Sequence, residues 1–440
     1  MVRIIDISKD REFLAKLLDR NKLEIDEVNK SVDDILANVR RDKDSALREY
    51  TREFDGVVLE DFLVTRQEIE EAIDCTSKAL LEDLARAREN IEKYHRKQMK
   101  NSYSLYEGED IILGQLVRPI ERVGIYIPGG SAAYPSTVLM NAVPARIAGV
   151  NEIIMITPPD RNGKVKPSIL AAASIAGADK IFKAGGAQGI AALAFGTESI
   201  PKVDKITGPG NIYVAMAKKR VMGLVGIDMI AGPSEILIIA DQWANPKYIA
   251  ADLISQAEHD EMAAAILVTD WEPLAAKVAE ELEIQLQGLE RREIIEKSLE
   301  SYGAIIITSC LGESVDVANE IAPEHLEVLT RNPFDVYRGV KNAGAIFLGE
   351  YSPEPVGDYF AGPNHTLPTS STSRFSSPLC VDDFIKKTSL IYYSKNALER
   401  SKDSIMRIAE EEGLTGHANS IRVRFDSEVS FKEAAVKCRR

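Results

Sequence analysis

The stretch VGIYIPGG (residues 123–130) is followed, five residues on, by STVLMNAVPARIAGV (136–150), and the pairing repeats along the chain. A short β-branched run ends in a glycine or proline turn, and an alanine-rich helical stretch comes next. EIIMITPP (152–159) precedes SILAAASIAGA (168–178), KIFKAGG (180–186) precedes GIAALAFG (189–196), and KITGPGN (205–211) leads into IYVAMAKKRVMGLV (212–225). Strands alternating with helices in this way specify a parallel sheet with helices on both faces. A second series follows, with EILIIAD (235–241), AAAILVTD (263–270), GAIIITS (303–309) and GAIFLGE (344–350) as strands and a charged helical segment over 271–302. The fold class is therefore α/β with two parallel-sheet units.

Upstream, the first hundred residues are rich in charge and poor in glycine. EEAIDCTSKALLEDLARARENIEKYHRKQ (70–98) places apolar residues at three- and four-residue steps, the pattern of an amphipathic helix. Such helices need a surface on which to bury their apolar stripe, and the second α/β unit is expected to supply it. After residue 380 comes a short, mostly helical tail that includes ALERSKDSIMRIAEEEG (397–413). No repeat of fixed period is visible, which disfavours a solenoid.

Composition narrows the function classes. At 440 residues, with 45% hydrophobic and 28% charged residues, the chain is globular and long enough for two or three domains. The net charge of -14, with no basic stripe, would repel polyphosphate backbones, so nucleic acid is not expected as a partner. MVRIIDISKDREF does not read as a signal peptide. The most apolar run, around 221–240, contains Asp228, Pro233 and Glu235 and is not expected to span a membrane. Four widely spaced cysteines (Cys75, Cys310, Cys380, Cys438) suggest neither a disulfide framework nor a thiolate metal site, which fits a reducing cytoplasm.

The five histidines are the informative residues. His95 lies in the charged helical region and reads as a surface residue. The other four stand in polar settings flanked by glycine or proline: QAEHD, APEHLEV, GPNHTLP and GLTGHANS. Gln256 and His259 are three apart on an expected helix and share a face, so an amide oxygen and an imidazole can reach one cation. Taken singly, that spacing is commoner on a solvated helix face, and further ligands must come from elsewhere. Asp358 in PEPVGDYF and His417 in GLTGHANS, each beside a glycine that allows a tight turn, are the candidates. Nitrogen and oxygen donors without thiolate suit Zn²⁺ in a site open to substrate.

Glu324 and His325 follow Pro323 in APEHLEV. As neighbours their side chains point in different directions, poorly placed for one metal but suited to two proton transfers. Apolar flanks imply partial burial and shifted pKa values. A loop-exposed pair is the competing reading of any EH dipeptide. The turns PGGSA (128–132), AGGAQG (184–189) and TGPGN (207–211) lie at the carboxyl ends of expected strands, where open α/β sheets bind nucleotides. The fingerprint GxGxxG is absent, so any dinucleotide site is not of the standard kind.

VGIYIPGGSAAYPSTVLMNAVPARIAG, KITGPGNIYV, AGPSEILIIAD, DLISQAEHD, APEHLEV, GDYFAGPNHTLPT, RFSSPL and EGLTGHANSIRVR occur in this order. Together they resemble the successive signatures of the histidinol dehydrogenase family. The resemblance implies a zinc- and NAD-dependent oxidoreductase: four-electron oxidation of L-histidinol to L-histidine through histidinaldehyde with two NAD⁺, the last step of histidine biosynthesis. It implies zinc ligands at Gln256, His259, Asp358 and His417, and proton transfer by Glu324 and His325. Substrate contacts fall on Ser234, His365 and Glu412, with the zinc ligands and His325 also facing substrate, and NAD contacts fall on Tyr126, Gln188 and Asn211. It further implies two Rossmann-like units of incomplete, atypical topology in a cytoplasmic homodimer. Its domains would be an N-terminal helical arm (1–22), a discontinuous first α/β domain (23–125 with 237–379), an inserted NAD-binding domain (126–236) and a tail (380–440) completing the partner's site. Residues 369–377 depart from the family's glycine- or aromatic-containing loop. A zinc hydrolase and a non-enzymatic binding module are the rival classes. The first lacks HExxH, and the second leaves the acid–imidazole pair without a use.

Overall fold

The computed structural model describes residues 2–11, 14, 26–129 and 133–426. They form two compact units, Met1–Met99 with Pro119–Ile385 and Lys100–Arg118 with Lys386–Arg440. In chain order the strands are β1 (Arg3–Asp6), β2 (Tyr103–Glu107), β3 (Ile111–Pro119), β4 (Arg122–Tyr126), β5 (Glu152–Thr157), β6 (Lys180–Lys183), β7 (Lys205–Thr207), β8 (Gly226–Ile227), β9 (Glu235–Ala240), β10 (Ala264–Thr269), β11 (Ala304–Ile307), β12 (His325–Leu329), β13 (Ala345–Leu348) and β14 (Ile385–Tyr393).

The first unit holds two parallel sheets, ordered β6-β5-β4-β7-β8 and β1-β11-β10-β9-β12-β13. Within each, the run begins at a central strand, fills one side and then crosses to the other. That is the Rossmann-type order, with switch points between β4 and β7 and between β9 and β12. β9 and β10 are buried at every position, as a parallel strand covered on both faces must be.

Three expectations change. The N-terminal helices pack on the β4–β8 sheet, not on the second series. The helix Asp26–Tyr50 buries Val32, Ile35, Val39 and Leu47 in one core with Ile190, Ala191 and Leu193 of the helix Gly186–Phe195. The helix Lys78–His95 buries Leu84, Ala87 and Ile91 beside Val138, Leu139 and Ala142 of the helix Pro135–Ala148. The physical reason is the alanine and glycine content of the covering helices: small side chains leave their outer faces apolar and close to the backbone, so a further layer must seal them. His95 is consequently buried, not a surface residue, with Nδ1 2.9 Å from the Ile91 carbonyl and its pKa lowered by burial.

Residues 3–6, expected within a helical arm, form β1 instead, pairing with Ala304–Ile307 at the edge of the larger sheet; residues 1, 12–13 and 15–22 of that arm lie outside the described residues. Helices fill most of the described tail, as expected. It begins with the nine-residue β14, joined to β3 and β2 in a three-stranded sheet of the second unit, before the helices Lys395–Glu411 and Thr415–Arg422. Among the described residues no helix is long and apolar enough to cross a membrane.

At the first switch point the TGPGN loop is fixed from below. Lys218 and Asp228 form an ion pair with side chains 2% and 0% exposed. Lys218 Nζ donates to the Gly208 carbonyl at 2.9 Å, and Asp228 Oδ2 accepts the Gly208 N–H at 2.8 Å. Gly208 has φ +114°, and a Cβ there would lie 2.1 Å from the Tyr126 carbonyl oxygen, so only glycine fits. Removing one partner of a buried pair strands the other charge. Lys218→Met is expected to lower the unfolding free energy by about 3–5 kcal/mol, read from urea denaturation. An unchanged midpoint and slope would show that the pair does not hold the loop.

Candidate active site

APEHLEV is partly a strand. The helix Leu311–Ile321 ends at Ala322, which takes φ +53°, and β12 starts at His325 between β9 and β13. Alternation sends Leu326 and Val328 to the core that holds Leu237 and Ile239. His325, Glu327 and Leu329 take the opposite face, and Leu329 packs there with Ile236, Ile238 and the helix Pro246–Ala257. The acid–imidazole pair is thus buried, Glu324 at 6% and His325 at 3% exposure. Nor do the two side chains diverge. Glu324 precedes the strand, and both groups turn onto Glu235, the first residue of β9. Glu324 Oε2 accepts the Glu235 N–H at 2.9 Å, and His325 Nδ1 lies 3.1 Å from the Glu235 carbonyl oxygen. His325 Nδ1 and Glu324 Oε2 end 3.7 Å apart.

A carbonyl only accepts, so Nδ1 of His325 carries the proton and Nε2 is left as a bare acceptor. Nε2 is buried with no hydrogen-bond partner. It lies 3.9 Å from Asp358 Oδ1 and 4.0 Å from Glu354 Oε1. Burial holds the imidazole below its ordinary pKa, which keeps it neutral, and pushes the Glu324 carboxyl well above the usual carboxylate range.

Beside this pair stands a cluster. One ligand atom each from His259, Glu354 and Asp358 lies within 4.8 Å of the others. His259 follows the end of the helix Pro246–Ala257, and its Nε2 is 4.0 Å from Glu354 Oε1. Gln256, one turn before it, is fully buried, and neither its Oε1 nor its Nε2 has a partner. Burying an amide unsatisfied is costly, so an orphan at this place is what a ligand side chain awaiting a cation looks like. Asp358 is helical and not in a tight turn. Glu354–Tyr359 is a short helix, and Gly357 is there because a Cβ would meet the Phe347 ring at 2.6 Å. Glu354 was missed by reading the sequence. The signal was present: a proline at the helix start in PEPVGD sets the two acids four apart, on one face. Burial, then the Asp358 charge, pushes Glu354 up to about 7.

His365 joins the cluster, with Nδ1 3.0 Å from the Asp358 carbonyl oxygen and Nε2 3.2 Å from Thr137 Oγ1. Ser234 directly precedes Glu235, its carbonyl accepting the Ala264 N–H at 3.0 Å. At the first switch point, Tyr126 ends β4 buried, its hydroxyl accepting the Gly186 N–H at 3.3 Å, and burial pushes its pKa to about 12. Gln188 is 1% exposed with Oε1 unpartnered. Asn211 is exposed and caps the helix Ile212–Val221 through Oδ1 to the Val214 N–H at 3.2 Å. The first unit therefore brings His259, Glu324, His325, Asp358 and His365 together. Glu412, which closes the helix Lys395–Glu411, and His417, on Thr415–Arg422, belong to the second unit and are exposed.

Two doubly wound sheets, one with glycine turns at its switch point and the other carrying a buried carboxyl–imidazole pair next to a cluster of oxygen and nitrogen donors, define an α/β protein of the doubly wound class. The model of the family described as histidinol dehydrogenase matches residues 18–425. Histidinol dehydrogenases from Clostridium acetobutylicum and Lactococcus lactis are 57% and 53% identical, each over 97% of this chain and over 99% and 100% of their own lengths. The crystal structure of histidinol dehydrogenase from Elizabethkingia anophelis superposes with a TM-score of 0.91 at 38% identity, covering 97% of this chain and 98% of that one. The chain belongs to the histidinol dehydrogenase family, and it is an oxidoreductase.

The orphaned amide has a measurable consequence. In chelator-treated protein, Gln256→Met should raise the unfolding free energy by roughly 1–3 kcal/mol, because an apolar group of similar shape replaces two unsatisfied polar atoms. A loss of stability in that variant would show that protein groups already satisfy Gln256.

Proposed function

We propose that this chain oxidises L-histidinol to L-histidine by way of histidinaldehyde, using two NAD⁺, as the last step of histidine biosynthesis in the cytoplasm. The observation that carries the reading is Nε2 of His325: neutral, buried, without a partner, and beside a cluster able to hold a cation. NAD⁺, when bound, accepts a hydride from the alcohol carbon and later from the hydrated aldehyde. The β4–β7 crevice favours placing it on residues 126–236, near Tyr126, Gln188 and Asn211.

The chain's own groups do the proton work. As hydride leaves the carbinol carbon, His325 Nε2 takes the hydroxyl proton. Water then adds to the aldehyde, and Glu324 accepts a proton from it, its Oε2 steadied by the Glu235 N–H. A hydrate route is favoured over a thiohemiacetal because the four cysteines lie outside the polar motifs of the sequence. Gln256, His259, Asp358 and His417 would hold a zinc ion, and the orphaned Gln256 amide and thiolate-free donor set fit one. Zinc there supplies the charge that binds and orients the imidazole and amine of histidinol. Ser234, His365 and Glu412 complete the substrate contacts.

The test is NADH formation from L-histidinol and NAD⁺, two per histidinol consumed; its absence in zinc-loaded protein sinks the assignment. Roles divide between the pair. His325→Ala should depress alcohol oxidation and Glu324→Gln mainly aldehyde oxidation, each by about 100- to 10,000-fold. Wild-type rates on both histidinol and histidinaldehyde would show the roles to be wrong.

The protein is proposed to act as a homodimer in which residues 380–440 complete the partner's site. The support is that Glu412 and His417 sit in a small unit with exposed side chains. Co-expressing a His417→Ala chain with a His259→Ala chain checks this. Hybrid dimers should recover activity at one of two composite sites, whereas hybrids as inactive as both parents would mean that the tail serves its own chain.

A further inference from the structure

Glu327 is the third residue of β12 and is 0% exposed, in a strand whose neighbouring positions are filled by leucine and valine. A leucine would fill that place without the cost of burying a carboxyl group. Its contacts explain why an acid stands there. Oε1 accepts the N–H of Glu354 at 2.8 Å. Glu354 opens the helix Glu354–Tyr359 behind Pro353, which has no side-chain acceptor to cap it, so the cap comes from the neighbouring strand. Burial, then the charge of nearby Asp252, pushes this carboxyl well above the usual carboxylate range. Asp252 lies one helical turn before Gln256, on the same face of the helix Pro246–Ala257. Ser255 Oγ of that helix reaches Glu354 Oε2 at 3.2 Å, which closes the triangle.

One buried side chain on β12 thus caps the helix Glu354–Tyr359 and lies near Asp252 of the helix Pro246–Ala257. The helix Pro246–Ala257 leads to Gln256 and His259, the helix Glu354–Tyr359 carries Glu354 and Asp358, and β12 carries His325 two residues earlier on the same face. We propose that Glu327 is a positioning residue, which locks the two cation-binding helices to the strand of the proton acceptor. It touches no substrate and acts through Glu354 and Asp252, setting how closely His259 and Asp358 approach. The inference rests on the reading that Gln256, His259 and Asp358 hold zinc.

The test uses full-length wild-type, Glu327→Met and Glu327→Gln protein. Zinc affinity is measured by competition with a chromophoric chelator, alongside urea denaturation. Glutamine keeps an acceptor for the Glu354 N–H and a donor for Asp252, whereas methionine keeps only the volume. Loss of a group that orients ligands typically costs 10- to 100-fold, so Glu327→Met should bind zinc about 10- to 100-fold more weakly and Glu327→Gln within about threefold of wild type. If the methionine chain does not fold, Glu327→Asp takes its place, since it keeps the carboxyl group but is one methylene short of the Glu354 N–H. A merely structural role would lower the urea midpoint and leave zinc affinity unmoved, which overturns the proposal. So does an equal loss in the glutamine variant. Wild-type protein without measurable zinc affinity overturns the metal reading and this proposal together, whereas tight zinc in both wild type and Glu327→Met sinks this proposal alone.

Discussion

Glu235 offers its N–H to Glu324 and its carbonyl to His325, and the chemistry of the site depends on that pair of hydrogen bonds. Neighbouring residues at the start of a strand ordinarily send their side chains apart. Here both are drawn to the first residue of the adjacent strand, and each is fixed in orientation by a backbone group that cannot move without breaking the β9–β12 ladder. The carbonyl settles the tautomer of His325. Burial keeps it neutral, and the free nitrogen faces the acids of the cluster.

The two sheets share a strand order but offer opposite ends. In the β4–β8 sheet the glycine turns lie at the carboxyl ends of the strands, as the rule for open α/β sheets requires. In the β9–β13 sheet the acid–imidazole pair lies at the amino end of β12, and Gln256 lies at the carboxyl end of the helix that returns from β9. An antiparallel return places a helix terminus beside the amino ends of the strands, so His259 and His325 meet there. His365 ties the two halves of the first unit, holding Asp358 on one side and Thr137 of the helix Pro135–Ala148 on the other.

A concentration of buried acids is the cost of this arrangement. Glu235, Glu324, Glu327 and Glu354 are all under a tenth exposed, and burial raises the pKa of Glu324, Glu327 and Glu354. Acids gathered in low dielectric repel one another unless protons or a cation intervene. That tension, together with an unsatisfied amide at Gln256, argues that the cluster is built for positive charge and not for stability.

The fold class was legible in residues, because β-branched runs, glycine turns and alanine-rich helices have fixed periods and little room for another reading. The family and its candidate residues were legible too, because their motifs are long and ordered. Other features were not written locally. HLEVL is too short and too polar at its start to announce a strand, and becomes one because β9 and β13 offer it partners. RIID at residues 3–6 is a strand only because β11, three hundred residues away in sequence, presents a free edge. The N-terminal helices carry an apolar stripe that names no partner. Their place on the β4–β8 sheet was decided by which helices had small, flat outer faces. The sequence by itself determined the alternation of strands and helices in the two sheets and which residues can do chemistry. Only the tertiary structure decided that Glu354 joins His259 and Asp358 and that Glu324 and His325 converge on Glu235, because contacts between distant segments depend on strand order, which no local pattern encodes.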